Sequence, residues 1–185
     1  MFNFFAMKNI LFMLLSISTL SSCSENKNEL SREDAMIMIK QEFAFPKVID
    51  YDIFCGDPAF AKRVLDEGLE TQGLLTVQRT QKLNEVGEPI IQLSAKAEPY
   101  LLPTSEKDKS INVQKVKLAE EELKEVTGIK MTDDGKSAVA EYTTTYKNVT
   151  PFSSLVNTDF SKEDTHQAYF ALFDDGWRLE KKQDR

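Results

Sequence analysis

His166 is the only histidine of the chain, and the residues before it include the parts of a hydrolase. Ser153 and Ser154 would serve as nucleophiles, with Asp164 or Asp159 orienting the imidazole that activates one of them. However, "PFSSLVN" carries no G-x-S-x-G elbow, the sharp turn that lifts a nucleophilic serine clear of its neighbours, and it reads as an ordinary loop. A strand-end histidine without chemistry accounts for His166 equally well. Asp133-Asp134 and Asp174-Asp175 offer paired carboxylates, yet neither follows the spaced ligand pattern of a calcium loop. Each pair is followed by a glycine, and turn formation explains both. A structural zinc site needs several Cys and His ligands, and this chain has two cysteines and one histidine. Glu120-Glu121-Glu122 is a charge run expected on a solvated face. The expectation is no catalytic set, no metal and no cofactor.

The two cysteines stand in different surroundings. Cys55 follows the apolar-rich run "VIDYDIF", where a buried, unreactive thiol is expected. Cys23 follows a leader whose first nine residues hold one charge, Lys8, and whose next eleven, "ILFMLLSISTL", are mostly apolar. A basic start, a short apolar run and small residues before a cut describe a secretory signal peptide. The apolar run falls short of the roughly 20 residues that span a bilayer. In a plain secreted protein Cys23 and Cys55 would be free to pair in an oxidising compartment. The tetrapeptide ending at Cys23, "LSSC", resembles instead the lipobox of bacterial lipoproteins. That resemblance implies a signal peptide over 1–22, cleavage before Cys23, and Cys23 as the lipidated mature amino terminus. It further implies a cell-envelope location with the membrane as partner through the lipid. Ser24 in place of Asp favours the outer membrane, by similarity to sorting in enteric bacteria. Residues 23–30 then read as a tether, since "SENKNE" is polar and without periodicity.

Cleavage before Cys23 would leave 163 residues and remove one charge, Lys8, so 22 basic groups would face 30 acidic ones. A net charge of −8 repels nucleic acid and anionic headgroups, which excludes a nucleic-acid partner and leaves membrane attachment to the acyl chains.

The elements that would carry these residues divide at "PTSEKDKS", residues 103–110. Before it, over 31–102, an α+β lobe is expected. Ser31 and Asp34 suit a helix start, with Leu30 and Ala35 as a hydrophobic staple and Met36, Ile39 and Phe43 as the apolar face. Asp57-Pro58 marks a second helix start, and Gly68 or Gly73 its end. "GLLTVQRT" and "PIIQLSAKAEPYLL" form a hairpin, and the stretch 57–102 resembles the wing of a winged-helix domain. After the boundary, over 111–183, turn-punctuated runs predict an antiparallel β-meander from Val113 onward. "AVAEYTTTY" is the strongest strand, while residues 117–127 fit a helical stripe as well as a strand. The fold class is α+β.

Two functions follow. One is a non-enzymatic, lipid-anchored module that binds an envelope protein or has a structural role. The other is a carrier or sensor of a small apolar ligand, because "YFALFDDGWRLEK" resembles the last hairpin of cone-shaped α+β folds of the nuclear-transport-factor type. Tyr142, Tyr146, Phe152, Phe160, Tyr169, Phe170, Phe173 and Trp177 would then line a pocket or, more simply, build the core of the second lobe.

Overall fold

The computed structural model describes residues 29–180. The leader, Cys23 and most of the proposed tether lie outside them. The fold is α+β, as the sequence predicts. Helix α1 (Arg32–Glu42) begins at Ser31, whose hydroxyl accepts the Asp34 N–H at 3.0 Å and donates to the Asp34 carboxylate at 2.6 Å. Leu30 and Ala35 flank this cap and are both buried, so the apolar staple holds the chain's entry angle. After Glu42 the chain turns through Ala44, whose φ is 52°. It then enters strand β1 (Lys47–Phe54).

Asp57 caps helix α2 (Pro58–Asp66) by accepting the Ala59 N–H at 2.7 Å. Its end follows from Gly68, which takes a left-handed φ of 68°. The Leu69 N–H then reaches the Val64 carbonyl at 3.0 Å and the Gly68 N–H reaches Leu65 at 2.9 Å. This double closure satisfies carbonyls that the helix end would otherwise leave bare and drives Leu69 into the core. Strands β2 (Leu75–Val77) and β3 (Ile91–Leu93) pair as the expected hairpin, but each has only three residues. The second strand-like run turns after Leu93 into a 3-10 helix, Ala95–Tyr100, because Ser94 caps it by accepting the Lys96 N–H. Ser105 likewise caps a single short helix, α3 (Glu106–Ser110), in the segment read as a boundary.

The remainder is β4 (Val113–Met131), β5 (Ser137–Lys147), β6 (Asp164–Phe173) and β7 (Gly176–Glu180). With β1 they form one antiparallel sheet in the order β1-β4-β5-β6-β7. Residues 117–127, ambiguous in the sequence, are strand throughout. Their 3.6-residue pattern loses to pairing on two edges. The amino-terminal part of β4 pairs β1, its carboxyl-terminal part pairs β5, and both partners meet at Glu120 and Glu121. Register shifts after Leu123 and after Val126 insert extra residues, and such bulges bend a strand that would otherwise run straight for 19 residues.

Two apolar cores lie along this bent strand. One gathers Ile53, Val64, Leu69, Leu74, Ile91, Val116, Leu118 and Phe152 around α2 and the hairpin. The other gathers Leu30, Ala35 and Ile39 of α1 against Val126, Ala140, Tyr142, Ala168 and Phe170. Each core takes residues from both sides of 103–110. The predicted face of α1 shifts accordingly. Ala35 and Ile39 are buried, Met36 is half-buried, and Phe43 sits past the helix end as an exposed ring.

Candidate functional site

β5 and β6 place Tyr142, Thr144, Tyr146, Asp164 and His166 on the sheet face that carries α1, because alternate residues of paired strands share a face. The register sets Tyr142 opposite His166 and Thr144 opposite Asp164. The His166 ring stacks on Tyr142 with centroids 5.1 Å apart, and its Nε2 lies 3.0 Å from the Thr144 hydroxyl oxygen. The same nitrogen is 3.7 Å from Glu121 Oε1. Tyr146 donates to Asp164 Oδ2 at 2.7 Å and meets Phe160 edge-on.

Glu121 overturns the expectation for the 120–122 run. It is 8% exposed, whereas Glu120 and Glu122 stay at the surface edge and pair with Lys117 and Lys147. Successive strand residues point to opposite faces, so three consecutive glutamates in a strand cannot all face water. The buried carboxylate affects its neighbours. Burial first, then the Asp164 hydrogen bond and carboxylate and the Glu121 charge, push the Tyr146 hydroxyl up to about 12. Tyr142 is raised by burial and by Glu121.

The serine candidates do not meet this histidine's ring nitrogen Nε2, whose neighbours are Thr144 and Glu121. Ser153 and Ser154 lie in the 3-10 turn Pro151–Leu155, whose Phe152 and Leu155 are packed into the first core. Ser154 donates back to the Pro151 carbonyl at 3.2 Å. Asp159 accepts from the Ser161 N–H and hydroxyl and pairs with Lys162, interactions that hold its carboxyl below the usual range. Asp164, the other candidate, accepts from Tyr146. Cys55 is 7% exposed, and burial pushes its thiol up. Asp134 closes its turn by accepting the Lys136 N–H at 3.0 Å, and Asp175 pairs with Arg178. Among the described residues no group of three or more His, Cys, Asp or Glu could hold a metal ion.

The aromatic set divides. Phe152 and Phe170 are wholly buried, in different cores, while Tyr169 and Phe173 are exposed on the face away from α1. Sequence alone offered no means of sorting them, since it does not say which strands share a face.

A cleft of about 650 Å³ opens beside His166. Its lining comes from the end of α1 (Glu42, Phe43), from β6 (Thr165 to Tyr169), from Glu141 of β5 and from Leu179 and Glu180 of β7. Among the described residues β7 pairs β6 from Tyr169 to Phe173, while β5 pairs β6 from Asp164 to Ala171. The amino-terminal half of β6 is therefore a sheet edge among the described residues. Among the described residues the cleft presents an apolar wall of Phe43, Ala168 and Leu179 and the carboxylates of Glu42, Glu141 and Glu180. An α+β body with a strand-edge cleft is the class that fold and site define. Compared with protein-family models, curated proteins and solved structures, the chain matches none.

Proposed function

We propose that this chain is a lipid-anchored lipoprotein of the bacterial cell envelope, acting without catalysis as a protein-interaction or structural module. The membrane is its partner through the lipid on Cys23, with the outer membrane and its periplasmic side favoured, and an envelope protein is its second partner. The observation that carries the binding part of this reading is the cleft beside His166, between the end of α1 and strand β6. The anchor rests on "LSSC" and its leader. Several acyl chains, each contributing about 0.8 kcal/mol per buried methylene, would hold an acidic body whose own charge is repelled by anionic lipid.

The test of the anchor is Cys23→Ser. Only a thiol at that position forms the thioether, so the variant should lose fatty-acid labelling and accumulate as uncleaved precursor. A variant still cut and still partitioning into detergent would place the anchor elsewhere.

The carrier reading has one observation in its favour. The volume of the cleft lies in the range of small-molecule sites, and Phe43, Ala168 and Leu179 give it an apolar wall. The three glutamates of the same lining argue against a wholly apolar ligand. Native mass spectra of protein made in its own host separate the two readings, because a carrier retains a small molecule and an interaction module co-purifies with a stoichiometric protein.

A further inference from the structure

A second cleft, of about 600 Å³, lies on the hairpin of β2 and β3. The register sets Thr76 directly opposite Gln92, and both side chains face away from the core that takes Leu75, Val77 and Ile91. The Gln78 N–H donates to the Ile90 carbonyl at 2.8 Å and closes the base of the connecting loop. That loop is fastened by side chains. Gln81 Nε2 donates to the carbonyls of Glu85 and Glu88, at 3.2 and 3.1 Å. The Glu85 carboxylate accepts the Lys82 N–H and the Gln78 amide, both at 3.0 Å. Asn112, just before β4, donates to the Gly87 carbonyl at 3.1 Å. These bonds fix a rim of Glu85, Glu88 and Pro89 that lines the cleft together with Thr76, Gln78 and Gln92. A rim held in place beforehand spares the ordering cost of binding.

The undescribed residues join the chain elsewhere. The hairpin hangs from the start of β4, through Cys55, whose carbonyl accepts the Ile90 and Ile91 N–H groups, and through Asn112. Glu180 instead lies opposite Tyr169, which pairs through Val139 to Lys130 near the end of that strand. Nearly all 19 residues of β4 separate the two, roughly 55 Å along its bent course. Residues 181–185 span at most about 18 Å. Residues 23–28 lead into α1, which packs in the second core, and span at most about 22 Å.

The lining keeps three groups unengaged. Among the described residues the Thr76 hydroxyl, the Gln92 amide and the Glu88 carboxylate have no polar partner. A hydroxyl and an amide both donate and accept, while a carboxylate accepts from two donors at once. Sugar hydroxyls match that set, since each donates and accepts and they stand in adjacent pairs. Pro89 adds C–H surface for the face of a pyranose ring. An anionic ligand would be repelled by Glu85 and Glu88. An ammonium group would suit Glu88 but set its donors against those of Gln92. The neighbouring Arg79 is already engaged, with Glu70 and with the Val77 carbonyl.

We infer that this cleft binds a saccharide, with Thr76, Gln92 and Glu88 hydrogen-bonding its hydroxyls. The inference goes beyond the interaction reading above and depends on neither the anchor nor the cleft beside His166.

The experiment follows nuclear magnetic resonance spectra of the isotope-labelled full mature chain. A zwitterionic detergent is used, because glycoside detergents present sugars of their own. Maltotriose and the trimer of N-acetylglucosamine are titrated in, with putrescine as the amine control and citrate as the anion control. At least one saccharide should shift the amide signals of Thr76, Gln78 and Gln92 saturably, and neither control should. Gln92→Glu keeps the shape, removes the amide donors and adds a charge. It should weaken the saccharide by about tenfold or more and admit putrescine. Thr76→Ala with Gln92→Ala should give a similar loss without the change of charge. Phe43→Ala, in the other cleft, should leave the affinity unchanged. Backbone signal dispersion shows whether each variant is folded, and if one unfolds the other decides. No saturable shift with either saccharide would overturn the inference, as would tighter binding of putrescine or citrate by the wild type. A shift undiminished in the folded variants would put the sugar elsewhere, with the same consequence. None of these outcomes bears on the Cys23 test.

Discussion

At His166 the imidazole fills a place in the sheet: it stacks on Tyr142 and its Nε2 meets a threonine hydroxyl that is wholly buried. The expected effect of His166→Ala is therefore on packing and on the cleft wall it lines, with no loss of a chemical step. The substitution should lower stability by about 1–3 kcal/mol, because the Thr144 hydroxyl loses a partner in a place water reaches poorly. Urea unfolding gives this quantity. Loss of phenotype at unchanged stability and unchanged partner binding would restore a chemical role to the ring. Tyr146 supplies a second test. Its folded value, raised to about 12 from the ordinary 10, means that the folded state prefers the neutral phenol. That preference stabilises the fold fully below pH 10 and is lost as pH rises toward 12. Tyr146→Phe should thus flatten the alkaline limb of the stability profile between those values, measured by thermal melts. Tyr146 itself titrating near 10 in the native protein would contradict its burial and its Asp164 and Glu121 surroundings.

The element that most shapes this molecule is β4, whose 19 residues serve two partners and two cores. Helix ends are set more locally. Gly68 closes α2 with a left-handed φ of 68°, and an added Cβ there would meet no heavy atom within 4 Å. The expected cost of Gly68→Ala is therefore conformational, about 1–2 kcal/mol, with no steric part. Urea midpoints of Gly68→Ala and Gly68→Asn separate the causes, since Asn tolerates the left-handed region and should recover part of the loss. Equal losses for both would point to packing of Leu69 as the cause. Both caps were legible in the chain because a cap is decided within four residues. The short β2 and β3 were legible as a pair but not in length, since the Ser94 cap competes with continued strand.

For the molecule as a whole, both cores cross the stretch 103–110, and β1 is paired to β4 across it. Chain division and packing division thus differ, and unfolding should be a single transition. Phe170→Ala, in one core, should cost about 3–5 kcal/mol, and Phe152→Ala, in the other, a similar amount. Each should lower one common melting midpoint when followed by near-ultraviolet dichroism and by the fluorescence of Trp177. Two separated midpoints, or a variant that moves only one probe, would show that the cores melt independently.

What the sequence determined by itself is what depends on near neighbours. The α+β class, the caps at Ser31 and Asp57, the turns at Gly135 and Gly176 and the meander from Val113 are each decided by residues within a few positions. The "LSSC" leader is likewise a local pattern, and it supports the proposed anchor without reference to any fold. Only the tertiary structure decided that Glu121 is buried while its two neighbours are not, that Phe152 and Phe170 serve different cores, and that, among the described residues, β5 pairs a longer stretch of β6 than β7 does. The physical reason is common to all three. Burial and edge exposure depend on which strands lie side by side and in what register, and those pairings join residues far apart in the chain.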